Sequence, residues 1–124
     1  MKKVIETKQA PAAIGPYSQA VEINNSLFVS GQIPVDPSTG EIAEDIESQA
    51  KQSMTNLKAI IEEAGYQVSD IVRCTIFLTD LANFQAVNEI YGSFLEEPFP
   101  SRSCVQVAAL PKGVQIEVDA IVVK

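Results

Sequence analysis

The chain has no histidine, and that absence is the most restrictive fact about it. It removes Ser-His-Asp and Cys-His nucleophilic machinery and every imidazole metal site, so any catalysis must run on other groups. Arginine is almost as scarce: Arg73 and Arg102 are the only two candidates for a bidentate grip on a carboxylate. The two cysteines, Cys74 and Cys104, form no CxxC and offer neither zinc spacing nor a redox motif. In a reducing compartment they are expected to be free thiols. Apolar runs are a handful of residues long, far short of the roughly 20 that cross a bilayer. The opening MKKVIETKQ turns polar after two lysines instead of entering an apolar signal segment, so a cytosolic protein with no membrane partner is expected. No block of lysines or arginines occurs, and the formal charge of −7 works against nucleic acid as the main partner.

What is present fits one folded domain spanning residues 1–124, with 46% hydrophobic and 20% charged residues and no internal repeat. Segments 19–23 and 26–31 flank Asn24-Asn25, residues that tolerate the positive φ of a tight turn, and so predict a β-hairpin. Residues 32–41, with two prolines and Gly40, read as a loop. From about Ala43 to Ala64, Ile46, Ala50, Met54, Leu57, Ile61 and Ala64 recur at helical spacing. Glu44, Asp45 and Glu47 suit that helix's N-terminal end, and Gly65 its stop. Residues 70–78, rich in β-branched and aromatic side chains, predict a strand covered on both faces.

A second helix, about Leu81 to Leu95 and capped by Thr79 or Asp80, carries Phe84, Val87, Asn88 and Tyr91 on one stripe. Asn88 is out of place on it, and needs either nearby backbone to bond or a ligand. The order strand, strand, helix, strand, helix, strand, strand predicts an α/β layer protein with two helices over one face of the sheet. An apolar second face would then call for a symmetric oligomer.

The end of the chain, PSRSCVQVAALPKGVQIEVDA (100–120), reads as two strands around a turn, each with one polar stripe: Arg102, Cys104 and Gln106 on the first, Gln115, Glu117 and Asp119 on the second. Asp119 and Gln115 are expected to face water. Arg102 follows the stiff Pro98-Phe99-Pro100 and so is held in place, either to recognise a planar carboxylate or in a structural salt bridge. For Arg73 an ion pair at the sheet rim is the favoured reading. Cys104 is expected to pack as a small hydrophobe more than to act as a nucleophile.

The segments GPYSQA (15–20), SGQIP (30–34), VNEIYGSF (87–94), PSRSCVQVAALPKG (100–113) and IEVDAIV (116–122) together closely resemble the RidA/YjgF family of enamine/imine deaminases over essentially the whole chain. The resemblance implies a chorismate-mutase-like α/β (α+β) fold with a mixed sheet, forming a homotrimer with ligand clefts between subunits. It implies hydrolysis of 2-iminopropanoate and 2-iminobutanoate, arising from 2-aminoacrylate and 2-aminocrotonate, to 2-keto acids and ammonia without metal or cofactor. By position it places the carboxylate-binding arginine on Arg102, the water-orienting glutamate on Glu117 and the pocket tyrosine on Tyr17. Ser30, Gly31 and Asn88 become lining positions, with Cys104 beside the arginine.

An iminium carbon is already electrophilic, which lets hydrolysis proceed without an imidazole. The rival readings are a non-catalytic trimer that binds small carboxylates or keto acids as a regulator, and an RNA-acting translation inhibitor, which the charge and the missing histidine disfavour.

Overall fold

Asn24 and Asn25 adopt φ of 49° and 61° in a computed structural model that describes residues 1–124, and they close the expected hairpin. Its strands are β2 (Ala20–Ile23) and β3 (Ser26–Gln32). A strand absent from the sequence reading, β1 (Lys3–Ile5), pairs antiparallel with β2; three residues are too few to carry a periodic signal. Helix α1 runs Ile46–Glu63, because Asp45 caps it by accepting from the Ser48 N–H at 2.9 Å. Gly65, at φ 84°, ends it as expected.

Strand β4 (Ile71–Leu78) follows, then α2 (Phe84–Ser93), introduced by a short 3₁₀ turn at Leu81–Asn83 in which Asp80 accepts from Ala82 N–H. The last strands are β5 (Ser101–Gln106) and β6 (Ile116–Val123). They are not neighbours: the sheet order is β1-β2-β3-β6-β4-β5, with β4 between them. The crossover through α2 makes β5 parallel to β4, and the segment after β5 then passes the end of β4, where Val107 N–H bonds Leu78 O at 2.8 Å. The sheet is therefore mixed, with β6 antiparallel to both β3 and β4.

Both helices lie on one face. There Leu27, Val29, Cys74, Ile76, Leu78, Ile116, Val118, Ala120 and Val122 pack against Ala50, Met54, Leu57 and Ile61 of α1. Strand β4 is covered on this side only within one chain: Val72 is exposed, and Arg73, Thr75 and Phe77 are partly so. The expectation of burial on both faces therefore fails for the single chain, since two helices cannot wrap a six-stranded sheet. The open face carries an apolar band of Val4, Val21, Phe28, Ile121, Phe77 and Val105, the exposed members being 52% (Val4), 43% (Phe28) and 41% (Val105) accessible. No helix is long and apolar enough to cross a membrane.

Candidate functional site

Register decides which polar residues can meet. Arg102 pairs with Cys74 and Cys104 with Ile76 across the parallel β4·β5 ladder, so both side chains lie on the helix-covered face. Glu117 pairs with Phe77 and Asp119 with Thr75, which puts the polar stripe of β6 on the open face. Arg102 and Glu117 of one chain thus stand on opposite faces of the sheet, with β4 between their strands. The expected residues form two half-sites.

The first half-site is built at the sheet edge by β5 and α2. The Arg102 guanidinium sits 5.1 Å from the ring centroid of Tyr91 and 5.3 Å from that of Phe84, a cation–π cradle of about 0.5–2 kcal/mol per ring. Its Nη1 donates to Asn88 Oδ1 at 2.6 Å. Asn88 therefore takes a side chain as its partner instead of backbone: it orients the arginine. The guanidinium's partner is an amide, not the carboxylate a structural salt bridge would need, so its charge is aimed but not neutralised. An open cleft of about 370 Å³ in front of it is lined by Asn88, Tyr91, Gly92, Phe99, Pro100 and Arg102.

Cys104 lies beside this cradle, packed against the core, and burial pushes its thiol pKa up while Arg102 opposes the shift. It stays a thiol at neutral pH. Cys74, fully buried, is pushed up to about 11 by the same cause. Both thiols are free. Arg73, expected in an ion pair, instead donates to the Ser103 hydroxyl at 2.8 Å on the open face; the polar neighbour that the β4·β5 register brings within reach is serine.

The second half-site is built where β3 meets β6. Val29 pairs with Ala120 and Gln32 with Val118, so three steps along β3 match two along β6, and the extra residue makes a bulge at Ser30-Gly31. The bulge lets Glu117 lie directly over Gly31: a Cβ there would meet the Glu117 Cδ at 2.6 Å and Cγ at 2.9 Å, so glycine is what lets the carboxylate rest in this position. Ser30 is turned away from the carboxylate, its hydroxyl donating to Ser18 O at 2.6 Å and its N–H to Gln19 O at 2.9 Å. Those bonds anchor the loop before β2, on which Tyr17 stands exposed. Tyr17 and Gly31 share an open cleft of about 450 Å³ with Ile14 and Lys112.

Burial, helped by the neighbouring Asp119, pushes the Glu117 pKa above the usual carboxylate value of 4.5. Asp119 and Gln115, expected to face water, are structural: Asp119 accepts from Thr75 N–H at 3.1 Å, and Gln115 is tied through both its N–H and its side chain. No three His, Cys, Asp or Glu side chains converge where a metal ion could sit.

Sequence reasoning missed the supports. Phe84 and Tyr91 read as core stripe but serve the guanidinium as well. Gln19 is buried and pins residues 7–11, accepting from Thr7 N–H at 2.7 Å and donating to Pro11 O at 2.7 Å. Gln49 and Asn56 of α1 are likewise buried. Their signal was available, because Gln49, Ser53 and Asn56 recur at the same steps as the apolar stripe beside them.

Comparison with known proteins adds to this geometry. Residues 7–124 match the family described as Endoribonuclease L-PSP. A RutC family protein of Pasteurella multocida is 58% identical, the alignment covering 100% of this chain and 99% of that protein. The 2-iminobutanoate/2-iminopropanoate deaminase of Salmonella typhimurium is 54% identical over 100% of this chain and 99% of its own. The crystal structure of Escherichia coli TdcF with bound serine superposes with a TM-score of 0.95 at 52% identity, covering 98% of each chain.

Proposed function

The chain belongs to the Endoribonuclease L-PSP family, that of the RidA/YjgF deaminases, and on this basis we propose that it hydrolyses 2-iminopropanoate and 2-iminobutanoate to the 2-keto acids and ammonia. The observation that carries this reading is Arg102: a guanidinium oriented by an amide and two aromatic rings, with no carboxylate of its own, in front of an open cleft. Such a group matches the planar carboxylate of a 2-imino acid.

Because Arg102 and Glu117 of one chain face opposite ways, the active site joins the Arg102 half of one copy to the Glu117 half of the next. That contact is head-to-tail, and it closes into a ring as a homotrimer. The apolar open face supports the association, since a band of that kind on a water-soluble chain is stabilised by burial.

In this site Arg102 holds the substrate carboxylate, with Asn88 keeping the guanidinium in plane. Glu117 orients a water and takes its proton as oxygen adds to the electrophilic C2. The raised pKa makes the carboxylate, once ionised, a stronger base than an ordinary glutamate. That proton passes to the nitrogen to make it a leaving group, and as the C–N bond breaks and ammonia leaves, Glu117 takes the hydroxyl proton so that the C2 carbonyl forms; the proton then goes to the released ammonia as ammonium. Tyr17 and backbone near Gly31 and Cys104 enclose the nitrogen end. With free thiols and a substrate released by cofactor-dependent dehydration of small amino acids, the protein works in the cytosol.

The test mixes two inactive variants. Arg102→Ala and Glu117→Gln subunits, unfolded and reassembled in equal amounts, regain about a quarter of the wild-type rate if each site takes its two groups from different copies. The readout is keto-acid release from freshly generated 2-aminoacrylate. No recovery would place both groups in one chain's site and sink the arrangement. Saturable keto-acid binding by wild type with no acceleration of imine decay would make the protein a binding module instead.

A further inference from the structure

Helix α1 buries two amides, Gln49 at 4% and Asn56 at 0% exposure, in a position where an aliphatic side chain would pack more simply. A buried amide is costly unless bonded, and all but one of these bonds, that from Gln52 to Asn56, reach outside the helix. Gln49 Oε1 accepts from Gln115 N–H at 2.8 Å, and its Nε2 donates to Ala43 O at 2.8 Å. Asn56 Nδ2 donates to Ile33 O at 3.1 Å and Val35 O at 3.0 Å, while Gln52 Nε2 donates to its Oδ1 at 2.8 Å. One amide therefore holds the residue two before Glu117, and the other holds residues two and four after Gly31.

We propose that Gln49 and Asn56 are positioning residues that set how the Glu117 carboxylate sits against the Gly31 backbone. The two walls of that half-site belong to different strands and meet at a bulge, where the regular ladder no longer fixes their spacing. Burial of apolar area is non-directional and would hold sheet to helix without defining that spacing. Hydrogen bonds from one rigid rod do define it: residues seven apart on α1 lie about 10 Å apart along its axis and on nearly the same side. The contact is close: a Cβ on Gly31 would come within 2.6 Å of Glu117 Cδ, so the carboxylate rests directly on the Gly31 backbone. Both amides reach this half-site only by bonds to backbone atoms, the Gln115 N–H and the Ile33 and Val35 carbonyls, so each acts through backbone. Gln115 reinforces the same wall, its side chain donating to Glu44 O at 2.8 Å.

This inference rests on the reading that Glu117 is the base, and the experiment separates the two. Gln49→Met keeps shape and removes both bonds, so kcat is expected to fall about 10–10²-fold while KM stays within about twofold, since the Arg102 half is untouched. In a Glu117→Gln background the same change is expected to cost nothing further. Gln115→Met, which loses only the Glu44 bond on a half-buried side chain, is expected to lower kcat a few-fold in the same pattern, and serves if Gln49→Met does not fold. Unchanged kcat in these variants, a parallel rise in KM, or an additive loss in the Glu117→Gln background would overturn the positioning role. Wild-type turnover by Glu117→Gln alone would instead overturn the assignment of the base.

Discussion

The two half-sites are built by opposite strategies. The Arg102 half sits at the sheet edge, where a cation is held by two rings and an amide in front of an open cleft. The Glu117 half sits inside the sheet, where a carboxylate is pressed onto a glycine at a bulge and partly desolvated. A recognition group gains from keeping its charge available, and a base gains from losing some water. Placing them on opposite faces of one sheet gives each its own environment, at the cost of needing a second copy to bring them together.

Breaking the recognition half has the largest expected effect. Arg102→Ala leaves the substrate carboxylate without its partner and lowers kcat/KM by about 10³-fold or more, mostly through KM, in a protein that remains assembled by sedimentation. Breaking the base costs somewhat less: Glu117→Gln lowers kcat by about 10²–10⁴ with KM little changed. The same variant sharpens the contrast in another way. A carboxyl whose folded pKa is raised is favoured when protonated, so its contribution to stability is full below the unfolded value and is lost as pH rises through the folded one. Glu117→Gln is therefore expected to melt higher than wild type at pH 7, whereas Arg102→Ala is not.

The pH profile follows from the same shift. Turnover needs ionised Glu117, so kcat is expected to fall on the acid side with a midpoint above 4.5. With substrate bound, its carboxylate neutralises the Arg102 of the neighbouring copy, leaving burial and Asp119 to set the direction. A midpoint below 4.5 would contradict the buried environment. Next comes the glycine: Gly31→Ala pushes the flexible Glu117 side chain aside without blocking the fold, and kcat is expected to drop about 10–10²-fold with a melting point near wild type. The smallest effect belongs to the conspicuous thiol. Cys104→Ala is expected to stay within about threefold of wild-type kcat and to cost about 1 kcal/mol or less of stability, measured by denaturant titration.

Much of the fold was legible because it is written in short-range chemistry. The Asn24-Asn25 turn, the α1 stripe, the Gly65 stop and the β-branched run expected at 70–78 and found at Ile71–Leu78 are each local signals, and each appears where expected to within a residue or so. Strand β1 was not, being too short to have a period. Nor was the insertion of β4 between β5 and β6, since neighbours along the chain need not be neighbours in a sheet. Arg102 and Glu117 stood out as polar residues in strands and Asn88 as an amide in need of a partner, but which partner it takes was not legible, because Arg102 lies 14 residues away. The spacing of Gln49 and Asn56 marked them as buried, but not what they hold, because an amide on a helix names no partner until the loops it bonds are in place.

Residue type and alternation along the last two strands were enough to put an arginine and a glutamate on polar stripes and to show that catalysis must manage without histidine. They could not say that the stripes face opposite ways. Alternation defines faces within a strand, whereas which face meets helix or solvent depends on strand order and register, properties of long-range pairing. The bulge that seats Glu117 on Gly31 has the same origin, because an extra residue exists only relative to the strand it is paired with.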